Sequence, residues 1–354
     1  MLQSFLKYLS KKSVSFLLTT ATILVVLIGF IDYVTGMDLS LSVFYLLPMS
    51  LVAWYAKKRS AYFISILSAL TWFLADFMFF EVHFRSLPFI PYWNAVVRLG
   101  MFLIVTYILV RLKQSIESEF NLARDVQLGF LPGHLPDVRG IEFSGSTLPA
   151  RPVSGDYYDV LGYDENTAGV CVADVVGHGV PAALLMSNLQ AAVRIHASSR
   201  VSPRELCEKL NQNVCQNTFG GKFITFFFGT LDASRKKLTY TNAGHNPPIL
   251  FRRDGSHLLL DNNDLVLGVT DETTYQESEV ELQCGDRLIL FTDGVTELEN
   301  PSGDQFHVRR LIELLQKNRQ LTAVELRDRI LQELTNFSKG IFPDDITLLV
   351  ILIK

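Results

Sequence analysis

The sequence predicts an α+β domain with a layered sandwich architecture, preceded by four membrane-spanning helices and a coiled-coil-like linker helix. Apolar residues dominate the first 110 positions, an apolar seam with helical spacing runs through 109–130, and strand-length and helix-length apolar patterns follow after residue 136. A chain of 354 residues is long enough for two domains. We place the transmembrane domain at 1–110, the linker helix at 111–131 and the layered domain at 132–354.

Four apolar stretches are each long enough to cross a membrane, which takes about 20 residues. They cover approximately residues 14–33, 39–56, 61–80 and 93–110. Basic residues precede the first stretch, join the second to the third at 57–59 and follow the fourth, whereas the other two connections carry few. Because basic connections stay on the cytoplasmic side, we expect a multi-pass protein of the inner (cytoplasmic) membrane. Both termini and the C-terminal domain then lie in the cytoplasm.

Two charged residues fall inside the predicted spans. Asp76 lies near the outer end of the third span and Arg98 near the outer start of the fourth, and we expect them to pair. The pair either fixes the packing of the helices or lines a sensor pocket open to the outside, with His83 nearby. Four short spans without a repeat of broken helices disfavour a transporter.

The linker is predicted to be a helix that pairs with a second copy of the chain. Its apolar residues stand at positions 109, 112, 116, 123, 126 and 130, a spacing of threes and fours that is typical of a coiled-coil seam. A single amphipathic helix packed on the domain is the alternative. We favour a parallel homodimer, and the sequence Leu131-Pro132-Gly133 ends the helix.

Charge and cysteine content exclude other classes. The net charge of −4 disfavours a nucleic-acid partner. The four cysteines show no CxxC spacing, so neither a disulfide framework nor a zinc site is expected.

The region after residue 136 mixes strand and helix patterns. Strands are predicted at 169–173, 223–230, 237–241, 287–291 and 346–353, and helices at 180–198, 202–218, 306–316 and 322–336. Strands joined by short turns, then two helices, then more strands favour an α+β sandwich over a doubly wound sheet.

Four aspartates in this region stand beside glycine or at the mouth of a predicted strand. They are Asp156, Asp174, Asp293 and Asp344. Carboxylates that converge at strand ends repel one another unless cations lie between them, and hard divalent cations prefer such oxygen ligands. Two divalent cations would neutralise four carboxylates, polarise a phosphoryl oxygen and lower the pKa of a bridging water. The set predicts a two-metal centre that hydrolyses phosphate esters.

In their contexts these residues resemble the bacterial branch of the metal-dependent protein phosphatases, the PPM family. The subgroup is that of the SpoIIE-type serine phosphatases, which regulate sigma factors. Matching segments occur in family order at 123–127, 131–132, 149–159, 174–183, 242–247, 292–297 and 344–347. The resemblance covers about residues 120–354, and the four-span unit before it looks like a sensory input module.

The resemblance implies a two-layer β-sandwich flanked by helices, with two Mn²⁺ or Mg²⁺ ions at one edge. Asp156 and Asp174 would bridge the ions, Asp293 and Asp344 would each hold one, and the backbone carbonyl of Val175 would be a further ligand. An activated water would attack phosphorus in line, without a covalent intermediate. The implied substrate is phosphoserine or phosphothreonine on a STAS-type anti-anti-sigma protein, opposed by a kinase that is also an anti-sigma factor.

Some positions depart from the family pattern or have open roles. Ser154 stands where the subgroup has glycine. Asp345 stands where many relatives have asparagine, so that Asp344 and Asp345 can share the metal role. Further candidates for phosphate contact or for support of a metal ligand are Arg151, Asp159 and His178. His178 and His245 are each either a general acid or a residue that stabilises its loop by a hydrogen bond.

The leading hypothesis is a membrane-tethered, signal-controlled serine/threonine protein phosphatase. A catalytically silent pseudophosphatase that binds its partner as a membrane-tethered scaffold is the alternative, and a receptor or small transporter with a regulatory soluble domain is the third. The intact set of aspartates favours the enzyme.

Overall fold

The computed structural model of the protein describes residue 9 and residues 12–35, 41–83, 89–217 and 221–354, without the side chains of 79–83, 90 and 91. The chain forms two compact units, Met1–Glu119 and Phe120–Lys354. The side chain of His83, which the sequence places near the predicted pocket, lies outside the described residues.

The N-terminal unit is built from apolar helices. They are α1 (Val14–Thr35), a 3-10 turn (Ser42–Tyr45) that continues into α2 (Leu46–Tyr55), α3 (Lys58–His83) and α4 (Phe89–Leu128). Three stretches of the described residues are long and apolar enough to cross a membrane, and they are Val14–Thr35, Lys58–Met78 and Tyr92–Leu128.

The second predicted span differs from the other three. Its described part forms a shorter apolar helix, Ser42–Tyr55. At 1.5 Å per residue this helix is roughly 21 Å long, whereas the apolar core of a bilayer is about 30 Å thick. The count of four spans therefore stays a prediction.

Asp76 and Arg98 lie near each other, as the sequence predicts, but they form no direct ion pair. Arg98 interacts electrostatically with both Asp76 and Asp32, and it takes part in none of the ion pairs of the described residues. Its guanidinium carbon instead lies 3.5 Å from the centre of the Trp72 ring.

The C-terminal unit contains two five-stranded antiparallel sheets. The first has the order β1 (Ile141–Leu148), β10 (Ile346–Ile353), β9 (Arg287–Phe291), β6 (Ile249–Phe251) and β7 (His257–Leu259). The second has the order β2 (Tyr157–Gly162), β3 (Thr167–Val175), β4 (Ile224–Asp232), β5 (Lys237–Ala243) and β8 (Ser278–Glu281). The helices of this unit are α5 (Val180–His196), α6 (Pro203–Asn217), α7 (Asp293–Thr296), α8 (His307–Lys317) and α9 (Ala323–Ser338).

Three apolar layers hold the sheets and helices together. The faces of the two sheets pack on each other, the second sheet packs on α5 and α6, and the first packs on α8 and α9. Adjacent residues of a strand point to opposite faces, so Tyr157 packs under α5 while Tyr158 packs between the sheets. All residues of β10 except Leu352 are buried, because this strand has a packed layer on each face. The predicted α+β sandwich flanked by helices is confirmed.

Candidate active site

The four candidate aspartates lie at one edge of the sandwich, where strands of both sheets begin or end. Asp156 directly precedes β2 and Asp174 is the penultimate residue of β3, both in the second sheet. Asp293 lies two residues after β9 and Asp344 lies two residues before β10, and both strands belong to the first sheet. A cleft of about 360 Å³ is lined by Asp174, Asp293 and Asp344, and Asp156 is close enough to Asp174 for each carboxyl group to act on the pKa of the other. The structure thus brings all four together.

Burial and mutual repulsion raise the pKa values of these carboxyl groups. Asp156 is 2% exposed, and its pKa is raised well above 3.8 by burial first and then by Asp174 and Asp345. Burial, followed by repulsion from Asp293 and Asp344, raises the pKa of Asp174 to about 7. The pKa of Asp293 is also raised, by burial and by Asp344. Such a set of carboxylates is stabilised when cations enter between them.

The donors fit hard divalent cations, which take carboxylate and carbonyl oxygens. A Cβ atom at Gly155 would lie 3.2 Å from the Val175 carbonyl oxygen, so glycine at this position keeps that oxygen free of a side chain. No group of three His, Cys, Asp or Glu side chains in the described part of the chain is arranged to hold one ion. Mg²⁺ commonly uses one or two carboxylates and keeps several waters, so two carboxylates for each ion satisfy its requirements.

Two threonines hold the side chain of Asp156. The Thr292 hydroxyl donates to Asp156 Oδ2 at 2.8 Å, and the Thr347 backbone N–H donates to the Thr292 hydroxyl at 3.0 Å. Thr292 follows β9 and Thr347 lies in β10, so the first sheet orients a carboxylate of the second. Sequence reasoning gave neither threonine a role, although both stand in segments that match the family.

Asp345 holds the loop that leads to Asp156. Its Oδ1 accepts from the backbone N–H of Ala150 at 2.7 Å. Its Oδ2 accepts from the Ser154 hydroxyl at 2.7 Å and from the backbone N–H of Gly155 at 3.0 Å. Because both oxygens of Asp345 are engaged, the geometry favours Asp344 as the metal ligand of this pair.

Arg151 and His178 form a pair of basic groups in the same cleft. Arg151 Nη1 lies 2.7 Å from His178 Nδ1, and both side chains are exposed and line the cleft beside the carboxylates. If the guanidinium donates to Nδ1, the ring proton of His178 resides on Nε2. The pair is thus placed to meet an anionic substrate.

Asp159 is away from the cleft. Its carboxylate is fully buried and accepts from Arg194 Nε at 2.8 Å, from Arg194 Nη2 at 3.1 Å and from the Tyr157 hydroxyl at 2.8 Å. It joins β2 to α5 and fixes Tyr157, the neighbour of Asp156, so it supports the site through the backbone.

His245 matches the loop-stabilising alternative. It is 2% exposed, its Nδ1 lies 2.8 Å from the Thr225 hydroxyl, and its Nε2 donates to the Phe291 carbonyl at 3.1 Å. Burial lowers the pKa of His245 to about 4, so the ring is neutral at pH 7. A neutral ring with both nitrogens engaged is unsuited to acid catalysis.

Gln127 connects α4 to the same loop. Its Nε2 donates to the Ser154 carbonyl at 2.8 Å and its Oε1 accepts from the Ser154 N–H at 2.9 Å. Gln127 is buried, whereas its neighbours on the last turn of α4 are exposed. Sequence reasoning gave Gln127 no role, although it stands in the family-matching segment 123–127, because nothing local shows that its partner is Ser154.

Known proteins resemble this chain in sequence. A model of the family described as "Stage II sporulation protein E (SpoIIE)" matches residues 164–354. Phosphoserine phosphatase RsbU of Bacillus subtilis (strain 168) is 31% identical over 243 residues, which are 68% of this chain and 71% of RsbU.

Solved structures agree in fold. The SiaA-PP2C domain of Pseudomonas aeruginosa superimposes with a TM-score of 0.60 at 22% identity, covering 68% of this chain and 98% of that domain. The RsbU and RsbW domains of Rv1364c from Mycobacterium tuberculosis give a TM-score of 0.55 at 27% identity, over 63% of this chain and 62% of that structure. Since the family match covers more than half of the chain and RsbU is 31% identical over the 243 aligned residues, the chain belongs to the SpoIIE family, and its C-terminal unit is a protein phosphatase domain with the fold of the PP2C domains.

Proposed function

We propose that the protein is a membrane-bound, metal-dependent phosphatase that removes phosphate from serine or threonine of a STAS-type anti-anti-sigma protein, in response to a signal sensed at the membrane. The observation that carries the proposal is the cleft in which Asp174, Asp293 and Asp344 stand beside Arg151 and His178. Acidic groups for cations and basic groups for a phosphate line one surface, as hydrolysis of a phosphoprotein requires.

Two divalent cations, Mn²⁺ or Mg²⁺, would be held by Asp156, Asp174, the Val175 carbonyl, Asp293 and Asp344. When bound, they would supply charge neutralisation and an activated water.

The chain's own basic groups would position the substrate. The planar guanidinium of Arg151 binds two phosphate oxygens at once, and its bond to His178 Nδ1 leaves the Nε2 N–H of that neutral ring free to donate a hydrogen bond to an oxygen of the substrate. Thr292 keeps Asp156 in one orientation through its 2.8 Å hydrogen bond.

Two features support a membrane-attached dimer. The long apolar helices support insertion in a bilayer. The linker part of α4 exposes the apolar side chains of three predicted seam positions, Leu112, Ile116 and Val126. A second copy that covers this seam would remove them from water, which favours a parallel homodimer.

The hydrogen bonds of Gln127 suggest how a signal reaches the site. Gln127 lies on the helix that includes the fourth predicted span, and Ser154 lies two residues before Asp156. Motion of α4 would therefore shift the loop that carries a metal-binding carboxylate.

Replacing Gln127 with alanine is expected to raise the Mn²⁺ concentration for half-maximal activity about tenfold, because groups that support metal ligands are worth 10- to 100-fold in metal affinity. Gln114→Ala, an exposed glutamine on the same helix, is the matched control. Both are measured in residues 109–354, beside residues 132–354. The same Mn²⁺ dependence in all of these proteins would contradict the proposed coupling between α4 and the metal site.

The whole proposal is tested with the full-length protein in lipid nanodiscs. We expect hydrolysis of p-nitrophenyl phosphate and of a serine-phosphorylated STAS protein with Mn²⁺, and none with a chelator. Binding of the phosphoprotein without hydrolysis under any metal would support the scaffold alternative instead. Hydrolysis of p-nitrophenyl phosphate without hydrolysis of the phosphorylated STAS protein would support the phosphatase activity and contradict the proposed substrate class.

A further inference from the structure

The N-terminal unit contains a group of polar side chains between its apolar helices. Asp32 of α1 is 8% exposed and Tyr45 of the 3-10 turn is fully buried. Asp76 of α3 and Arg98 of α4 complete the group, since Arg98 interacts electrostatically with Asp32, Asp76 and Tyr45. We call these four residues the buried charge cluster. Charged groups in an apolar helix bundle are costly and commonly functional.

Close helix packing brings these residues together. A Cβ atom at Gly29, one turn before Asp32, would collide with the Thr71 side chain and lie 3.3 Å from the Tyr45 hydroxyl. Glycine therefore lets α1 approach both α3 and Tyr45. The ring of Phe102, one turn after Arg98, lies 5.9 Å from the Tyr45 ring. The close packing of α1, the 3-10 turn, α3 and α4 therefore fixes the positions of the four residues of the cluster.

Four polar atoms of the cluster are buried without a hydrogen-bond partner among the described residues. They are Asp32 Oδ2, Tyr45 Oη, Asp76 Oδ2 and Arg98 Nη1. The other oxygen of Asp32 accepts from the Leu41 N–H at 3.3 Å. A buried polar group that lacks a partner is unfavourable, so the three oxygens among these atoms indicate a ligand that completes them.

The charges decide what kind of ligand this is. Two carboxylates face one guanidinium, which leaves one negative charge in excess. Arg98 stacks on Trp72 at 3.5 Å and makes no ion pair with either aspartate, so neither carboxylate is directly neutralised. Three of the four unpartnered atoms are oxygens, which accept hydrogen bonds from an ammonium group or coordinate an alkali ion.

We propose that the buried charge cluster binds one small monovalent cation, either an alkali-metal ion or a protonated primary amine, between Asp32 and Asp76. Tyr45 Oη supplies a third oxygen, and Arg98 keeps the two carboxylates from binding a second cation. We further propose that this cation is the signal sensed at the membrane. That role rests on the function proposed above, whereas the binding of the cation does not.

Tryptophan fluorescence of the full-length protein in nanodiscs tests the site. The three tryptophans, Trp54, Trp72 and Trp93, all lie in the N-terminal unit, so their emission does not report on the phosphatase domain. Sodium, potassium and ethylammonium chloride are titrated at fixed pH, with choline chloride keeping the ionic strength constant. We expect a saturable change in emission and a rise of about 5 °C in the unfolding midpoint read by fluorescence.

Variants assign the change to the cluster. Asp32→Asn and Asp76→Asn are expected to abolish the response, and Tyr45→Phe, which keeps the packing, to weaken binding several-fold. Glu119→Gln, an exposed acid on α4, is the control and responds as the unaltered protein does. A response to sodium or potassium alone identifies an alkali ion, and a response to ethylammonium alone identifies an amine.

Other results would overturn the proposal. They are no response to any of these cations, an equal response to choline, or an undiminished response in Tyr45→Phe and both asparagine variants. A response to pH alone in choline chloride would also contradict it, because a proton would then hold the excess charge. Hydrolysis of p-nitrophenyl phosphate in the same samples tests the phosphatase separately, so either proposal can fail without the other.

Discussion

Replacing Asp174 with asparagine is expected to lower Mn²⁺-dependent hydrolysis about 10³-fold while the domain stays folded. Asp156, Asp293 and Asp344 all act on the pKa of Asp174, so in the proposed centre it is the carboxylate best placed to bind both cations. Loss of such a ligand forfeits several kcal/mol of charge stabilisation in the transition state, and each 1.36 kcal/mol is a factor of ten. Asp261→Asn, an exposed aspartate of the same domain, is the control and retains full activity.

The same variant is expected to be more stable than the unaltered domain when a chelator is present. The pKa of Asp174 is about 7 in the fold against 3.8 for the unperturbed group. Between these values the folded state binds more protons than the unfolded state, so stability falls as pH rises from about 4 to about 7. Asparagine does not ionise, so the Asp174→Asn domain avoids this loss of stability at and above pH 7. With Mn²⁺ the unaltered domain is expected to be the more stable of the two, because the ion stabilises only the protein that binds it.

Thermal unfolding at several pH values, with chelator and with Mn²⁺, measures both effects. Two results would contradict the assignment of Asp174 to the metal centre. They are full activity of the Asp174→Asn domain, and a lower stability of that domain than of the unaltered domain in chelator at pH 8.

Replacing Asp345 with alanine is expected to lower activity 10- to 100-fold, the usual effect of losing a group that holds a metal ligand. The change leaves the N–H groups of Ala150 and Gly155 and the Ser154 hydroxyl without their acceptor. The loop before Asp156 then loses its attachment to the segment before β10, although no proposed metal ligand is altered.

Asparagine at the same position separates the loop role from a metal role. An amide oxygen still accepts two of the three hydrogen bonds, so Asp345→Asn is expected to retain most of the activity. Ser154 donates to this carboxylate at 2.7 Å, so the two positions at which the sequence is expected to depart from the family pattern are physically linked. Ser154→Gly is therefore expected to cost less in the Asp345→Asn protein than alone. Equal, large losses in the alanine and asparagine variants would instead make Asp345 a metal ligand.

The sequence predicted the elements that carry long apolar patterns. The predicted helices at 180–198 and 322–336 correspond to α5 and α9, and the continuous apolar run at 346–353 is β10. It did not predict β1, whose sequence IEFSGSTL has a polar second half. That half is stabilised by pairing with β10 along its entire length, a contact between residues about 200 positions apart that no local pattern records.

The site divides in the same way. Aspartates beside glycine at strand ends are visible in the sequence, because each lies in a short segment with its own signature. The residues that orient them are not, since Thr292 and Gln127 are ordinary polar residues whose partners lie 136 and 27 positions away. His245 shows the converse: its segment permits a general-acid interpretation, which the structure excludes because the ring is buried and both of its nitrogens are engaged.

The carboxylates come in equal numbers from two sheets that share no strand. Asp156 and Asp174 lie at strand ends of one sheet, and Asp293 and Asp344 lie beside strand ends of the other. Cations bound between these carboxylates would crosslink the two sheets at the open edge of the sandwich. Without the cations, repulsion between the carboxylates would destabilise the contact between the sheets at that edge. When the cations are removed, the backbone amides of Thr292 and Thr347 should exchange with solvent deuterium faster than those at the centre of the sandwich. Cation occupancy would thus control how often this edge of the domain opens locally.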